Sequence, residues 1–221
     1  MDYIKIVKKI DNFVLQHFDL LELLYPRDSD FNYSILVDKI ICGRTLVQLQ
    51  KEVSFFYRFQ GMDNDKRKNL LKLFDEHKEN IKTIDNSNVD EIYDYYCKLL
   101  KKAEKITGKF QYVNTAKLLN IYNQSLPLFD NNVINFLNYI NSEDRLEKRN
   151  IQNYYHILKI YKIINESDIA ANVLKLRNKI YAKLKNKHIN LNKFVDTLMY
   201  FINDTKELFK YKSLYISSGK K

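Results

Sequence analysis

Cysteine is nearly absent from the sequence. Cys42 and Cys97 are too few for a disulfide scaffold, and with four scattered histidines (His17, His77, His156, His188) they form no C-x-x-C, H-x-x-x-H or H-E-x-x-H spacing. No metal site and no cofactor is expected. Both thiols sit in apolar settings, Lys39-Ile40-Ile41-Cys42-Gly43 and Tyr95-Tyr96-Cys97-Lys98-Leu99, where a cysteine is expected to be buried and inert. Glycine and proline are just as scarce: four Gly and two Pro in 221 residues leave little to punctuate strands and hairpins. Long apolar runs are also missing. No stretch approaches the ~20 residues of a membrane span, and the charged start Met1-Asp2-Tyr3-Ile4-Lys5 lacks a small-residue cleavage site. The expectation is a soluble cytoplasmic protein without a membrane partner.

What remains is a chain with 45% hydrophobic and 29% charged residues, a globular composition. Leu, Ile, Lys, Asn and Tyr recur at helical spacing, so the fold class is all-α, a multi-helix orthogonal bundle. It is either one domain or two closely packed lobes, residues 1–107 and 108–221, divided at Gly108. The first helix is expected from Asp2 to Leu24, with Ile6, Ile10, Phe13, Val14 and His17 inward, closed by Pro26. The very apolar stretch from Phe31 to Gln60 is expected to break near Cys42-Gly43-Arg44. Asp63 and Asp65 head a helix from Lys66 to Ile81, and Asp85-Asn86-Ser87-Asn88 is a turn before a helix from Val89 to Ile106. Further helices are expected at Tyr112–Asn123, Asn131–Asn141, Glu143–Asn165, Asp168–His188 and Asn192–Tyr211.

The charge is unevenly placed. Residues 1–110 carry 19 basic and 18 acidic side chains, whereas residues 111–221 carry 18 basic and 9 acidic. Lys175, Arg177, Lys179, Lys183, Lys185, Lys187 and Lys193 follow one another without an intervening acid. Lys175, Lys179, Lys183 and Lys187 form a stripe opposite Val173, Leu176, Ile180 and Leu184. Such a stripe neutralises phosphates and releases counterions, which makes nucleic acid the expected partner, DNA ahead of RNA. The alternative is a solvated face on a lysine-rich protein. An anionic membrane surface fits less well, because the helix has no Trp and its apolar face is Ile, Val and Leu. Tyr154 and Tyr155 lie among Arg149, Lys159 and Lys162, the kind of interleaving that single-strand binders use for stacking.

One acid stands apart. In Thr115-Ala116-Lys117-Leu118-Leu119, Pro127-Leu128-Phe129-Asp130 and Asn131-Asn132-Val133, an apolar helix ends, a proline turn follows, and Asp130 occupies the N-cap of the next helix. Capping is by itself a sufficient reason for an Asp. The run resembles a pattern in small helical proteins of bacteria and archaea, a Lys-Leu-Leu start, a Pro/Phe turn and Asp-x-x-Val, and Leu191-Asn192-Lys193-Phe194-Val195-Asp196 resembles a second apolar-Asp helix of the same proteins. More remotely, Thr115-Ala116-x-Leu118-Leu119 with Asp130-x-x-Val133 is similar to helix-hairpin-helix DNA glycosylases. The two matches to the small helical proteins cover roughly thirty residues, and the glycosylase resemblance implies that Asp130 stabilises the positively charged sugar or orients the attacking nucleophile while a base is held out of the stack. Lys117, nearly one turn past the position of that family's Schiff-base lysine, would approach the same cleft. Two positions depart from the pattern: Phe110-Gln111-Tyr112 stands where the family has its Gly-x-Gly hairpin, and Asn114 stands at the lysine position. The sequence therefore supports a nucleic-acid-binding protein, with or without base-excision chemistry at Asp130. The rival is a helical interaction or regulatory module whose lysines only face solvent.

Overall fold

The computed structural model describes residues 1–25, 27–57, 62–85, 87–147, 150–182 and 191–203. Every regular element among them is helical, as the scarcity of glycine and proline predicts. Helix α1 (Tyr3–Gln16) opens on Asp2, whose carboxylate accepts from the Lys5 N–H at 2.9 Å, and buries Ile6, Val7, Ile10, Phe13 and Val14. The single helix expected as far as Leu24 is interrupted at His17, and α2 (Phe18–Leu24) follows, packed against α11. The His17 ring lies over Phe13 at 4.5 Å rather than continuing the apolar face.

Helix α3 (Arg27–Ile41) ends where the sequence predicts a break, at Gly43, whose φ of +91° lies in the left-handed region that favours glycine. Cys42 falls in that turn and is exposed, not buried as its apolar flanks suggest, because the residue after the last helical turn faces solvent. After α4 (Gln50–Tyr57) comes α5 (Asn64–Glu76), capped by Asp63 on the Lys66 N–H at 2.8 Å and burying Leu70, Leu71, Leu73 and Phe74. A second interruption, at His77, separates α6 (Lys78–Lys82) from α5. Helix α7 (Val89–Thr107) runs from an Asn88 cap to Gly108, whose φ of +74° makes it a left-handed C-cap. Then come α8 (Tyr112–Tyr122) and α9 (Asn131–Ile140).

The helix expected from Glu143 begins only at Gln152, as α10 (Gln152–Glu166). The cause is tertiary. The Asn138 side chain on α9 accepts from the Leu146 N–H at 2.6 Å and donates to the Leu146 carbonyl at 2.9 Å, so that backbone is committed to α9 and Leu146 is buried. A 3₁₀ turn (Asp168–Ala170) leads into α11 (Ala171–Ala182), and residues 191–203 form α12.

Gly108 is a true corner, yet it does not separate two cores. Helix α1 packs on α9, α10, α11 and the 3₁₀ turn, while α7 packs on α5, α8 and α10. One continuous set of buried apolar side chains extends from Ile6 to Ile202, so the described residues on the two sides of Gly108 share one interior. Asp11, buried on α1, ties the halves together. Its carboxylate accepts from the Asn172 N–H (2.8 Å), the Val173 N–H (3.1 Å) and the Asn172 amide (2.7 Å), capping α11 from across the molecule. Asp11→Ala is expected to lower stability by about 2 kcal/mol, the upper range for a lost cap. A urea midpoint equal to wild type would show that water replaces the carboxylate.

Candidate functional site

Asp130 is held by a turn with little freedom. Leu126, Leu128 and Phe129 are all buried, and the Asn120 amide on α8 donates to the Leu126 carbonyl. Asp130 then enters α9 in extended geometry, accepting from the Asn132 N–H at 2.8 Å and the Val133 N–H at 3.1 Å. The N-cap read from the sequence is thus present. Lys117, at the centre of α8, brings its Nζ to 3.8 Å from Asp130 Oδ2, with both side chains about four-fifths buried. The structure therefore brings the two catalytic candidates together.

Helix α12 adds a second pair. Lys193 Nζ lies 3.3 Å from Asp196 Oδ2 and 5.2 Å from the centre of the Tyr33 ring. Lys193 is only 4% exposed and Asp196 only 7%. Lys193 is thus no part of an exposed stripe: it belongs to α12, where its partner is one turn away and the surrounding residues Phe194, Val195, Leu198 and Met199 are buried. The second carboxylate oxygen, Asp196 Oδ1, is buried with no hydrogen-bond partner among the described residues. Burial pushes the Asp196 carboxyl up to about 6; the Asp130 carboxylate pushes the same way, while Lys193 and Lys117 oppose it. Burial also pushes the Tyr161 phenol well up, aided by Asp196 and Asp130. Two acids and two lysines thus form one interior cluster whose charges balance. Asp196 can hold or release a proton near neutrality beside the more exposed Asp130, a pairing that sequence reasoning did not single out.

The basic stripe is less bare than the sequence suggests. Val173, Leu176 and Ile180 are buried as expected, with Lys175 and Lys179 exposed and Arg177 half-buried. Lys175 and Lys179 both reach the Phe18 ring of α2, at 5.7 and 5.5 Å. Lys179 also pairs with Glu22 of α2 at 2.6 Å, so an acid absent from the local sequence is supplied through space. Lys183, Lys185 and Lys187 lie outside the described residues. Tyr154 is not a stacking surface. It is fully buried, 4.2 Å from Tyr96 and 6.1 Å from Phe129, because it shares the inward face of α10 with Ile157, Leu158 and Tyr161. Tyr155 is half-buried, with its ring edge-on to Tyr93 and Lys159 Nζ 5.1 Å above it.

A cleft of about 570 Å³ opens where Gly108 turns α7 into α8. Lys109, Phe110, Gln111 and Asn114 line one part of it, and Phe129 and Asn131, the chain neighbours of Asp130, line another. A smaller cavity of about 250 Å³, lined by Tyr161, Asn165 and Asn192 among others, lies between the head of α7, α10 and α12. Among the described residues, no three His, Cys, Asp or Glu side chains are placed to hold a metal ion, and no helix is long and apolar enough to cross a membrane. No family model matches the chain, and no curated protein or solved structure matches it.

Proposed function

We propose that the protein binds nucleic acid, DNA in preference to RNA, through contacts to backbone phosphates from its C-terminal half. The observation that supports this reading is the charge imbalance of residues 111–221, 18 basic against 9 acidic side chains, with no acid between Asp168 and Asp196. Because Lys117, Lys179 and Lys193 each have an acidic partner, the phosphate contacts are assigned to Lys175 and to the lysines that follow in the sequence. The test is fluorescence anisotropy of labelled duplex and single-stranded DNA and of RNA over a salt series. Wild type should show a steep salt slope, and Lys175→Glu/Lys183→Glu should flatten it by about two contacts and weaken binding about tenfold or more. Negligible binding to every probe at low salt would leave a helical interaction module whose lysines serve solubility.

A second reading, base excision, is favoured by the approach of Lys117 to Asp130. In it the Asp130 carboxylate stabilises positive charge on a sugar as the base departs. Asp130→Asn keeps an oxygen for the two backbone N–H groups, so it should abolish base release while leaving DNA affinity and folding near wild type. Absence of base release from wild type on mismatched or damaged duplexes would remove this reading and leave Asp130 as a cap.

A further inference from the structure

We infer that the cleft at the α7–α8 corner takes an unpaired nucleobase, with Phe110 as the stacking surface and Asn114 reading the base edge. The inference rests on the nucleic-acid reading for the source of the base and adds the place where it is held.

Phe110 is 47% exposed and lines the cleft. It stacks on Tyr112 with ring centroids 5.4 Å apart and planes 23° from parallel. One face is therefore covered by a second ring, which holds Phe110 flat, while the side chain stays accessible. Stacking of successive flat groups on aromatic side chains is tolerant of base identity and effective on unpaired bases. The volume, about 570 Å³, lies in the range of small-ligand sites and admits a purine.

The polar groups in the same cleft are set for an edge rather than for a charge. Asn114 Nδ2 donates to Gln111 Oε1 at 2.9 Å, Gln111 Nε2 donates to Thr107 Oγ1 at 3.2 Å, and Thr107 Oγ1 donates to the Ala103 carbonyl at 2.8 Å. This relay fixes which end of each amide is oxygen and which is nitrogen. It leaves Asn114 Oδ1 and one Nδ2 hydrogen without a hydrogen-bond partner among the described residues. An acceptor and a donor side by side on one amide match the paired donor and acceptor that adenine presents. Lys109 is exposed at the same corner, within the chain segment that carries Phe110, and is suited to the phosphate attached to a bound base. Glu104 also lines the cleft, and its negative charge disfavours a phosphate as the group that enters.

The experiment uses the full chain and measures anisotropy of labelled oligo-dA and oligo-dT, single-stranded and as a duplex, with AMP as competitor, and measures AMP binding directly by titration calorimetry. Phe110→Ala should weaken single-strand binding about tenfold and leave duplex binding within about twofold. Asn114→Ala should weaken oligo-dA more than oligo-dT. Phe110→Leu keeps apolar volume without a ring, so it should match Phe110→Ala even if the smaller side chain loosens the corner. Competition by AMP assigns the site to a free nucleotide as well as a strand; no competition assigns it to a strand alone. Single-strand affinity unchanged in all three variants overturns the inference. Duplex binding without any single-strand or AMP binding overturns it too, while the phosphate-contact reading stands. AMP binding lost in Phe110→Ala, in a protein that binds no DNA, upholds the cleft and ends the wider reading instead.

Discussion

Lys193→Ala is expected to cost about 3–5 kcal/mol of folding stability near pH 8 and far less near pH 5. At the higher pH the substitution leaves the Asp196 carboxylate buried without its 3.3 Å partner, and a single unpaired interior charge is strongly destabilising. Near pH 5 the Asp196 carboxyl, already raised to about 6, is protonated in the folded protein, so little attraction to Lys193 is lost. The same shift gives wild type a pH dependence of definite sign. The folded protein binds a proton at Asp196 more readily than the unfolded chain does, so this residue's contribution is fully present below the unfolded value of 3.8 and is lost as pH rises toward 6. The rise from 3.8 to about 6 corresponds to about 3 kcal/mol across that window. Replacing both partners, Lys193→Met with Asp196→Leu, should restore near wild-type stability and remove this pH dependence, because two apolar groups carry no desolvation cost. Denaturant midpoints measured near pH 5 and pH 8 decide it. An equal loss at both would mean that Lys193 contributes packing against Tyr33 and not charge.

Some of this was legible in the sequence because its causes are local. The Asp63 and Asp130 caps, the left-handed Gly43 and Gly108 and the inward faces of α5 and α11 each follow from residues within a turn or two. The features that sequence reasoning missed have distant causes. Asn138 withholds residues near Leu146 from a helix, His17 and His77 divide what reads as single helices, and Glu22 reaches Lys179 across a gap in sequence. The Lys117–Asp130 approach was expected only through the resemblance to helix-hairpin-helix glycosylases, whereas the part of Asp196 was not expected at all, since Lys193 and Asp196 at one-turn spacing look like an ordinary surface pair. Their neighbours gave no warning: Phe194, Val195, Leu198, Met199 and Ile202 share one face of α12, so the helix reads as amphipathic with Lys193 and Asp196 on its polar side, and it is the burial of that polar side, with Asn192 and Thr197, that makes the helix central. The cleft did have a signal in Phe110-Gln111-Tyr112, two aromatics flanking an amide where a tight glycine turn would have been unremarkable.

Asp75→Ala should be nearly as damaging, about 3 kcal/mol, because one carboxylate closes three segments on each other. It sits on α5 and accepts from the Leu46 N–H at 2.7 Å and the Val47 N–H at 3.0 Å, holding the chain between α3 and α4, and it accepts from the Tyr122 hydroxyl at the end of α8. Leu46 is fully buried and Tyr122 nearly so, which leaves these donors poorly placed to find water once the carboxylate is gone. Burial and the Asp75 carboxylate together push the Tyr122 phenol up, so it stays a donor throughout the working pH range. Tyr122→Phe should cost less, about 1 kcal/mol, since Asp75 keeps both backbone donors and the ring keeps its packing. If the three contacts act as a unit, Asp75→Ala with Tyr122→Phe costs less than the two singly, because the hydroxyl has no partner left to lose. Hydrogen exchange at the Leu46 amide supplies the local readout: protection should collapse in Asp75→Ala and persist in Tyr122→Phe. Retained protection in Asp75→Ala would mean that burial of Leu46 and Leu49 alone fixes the α3–α4 connection, and that the carboxylate only follows a conformation the core has already set.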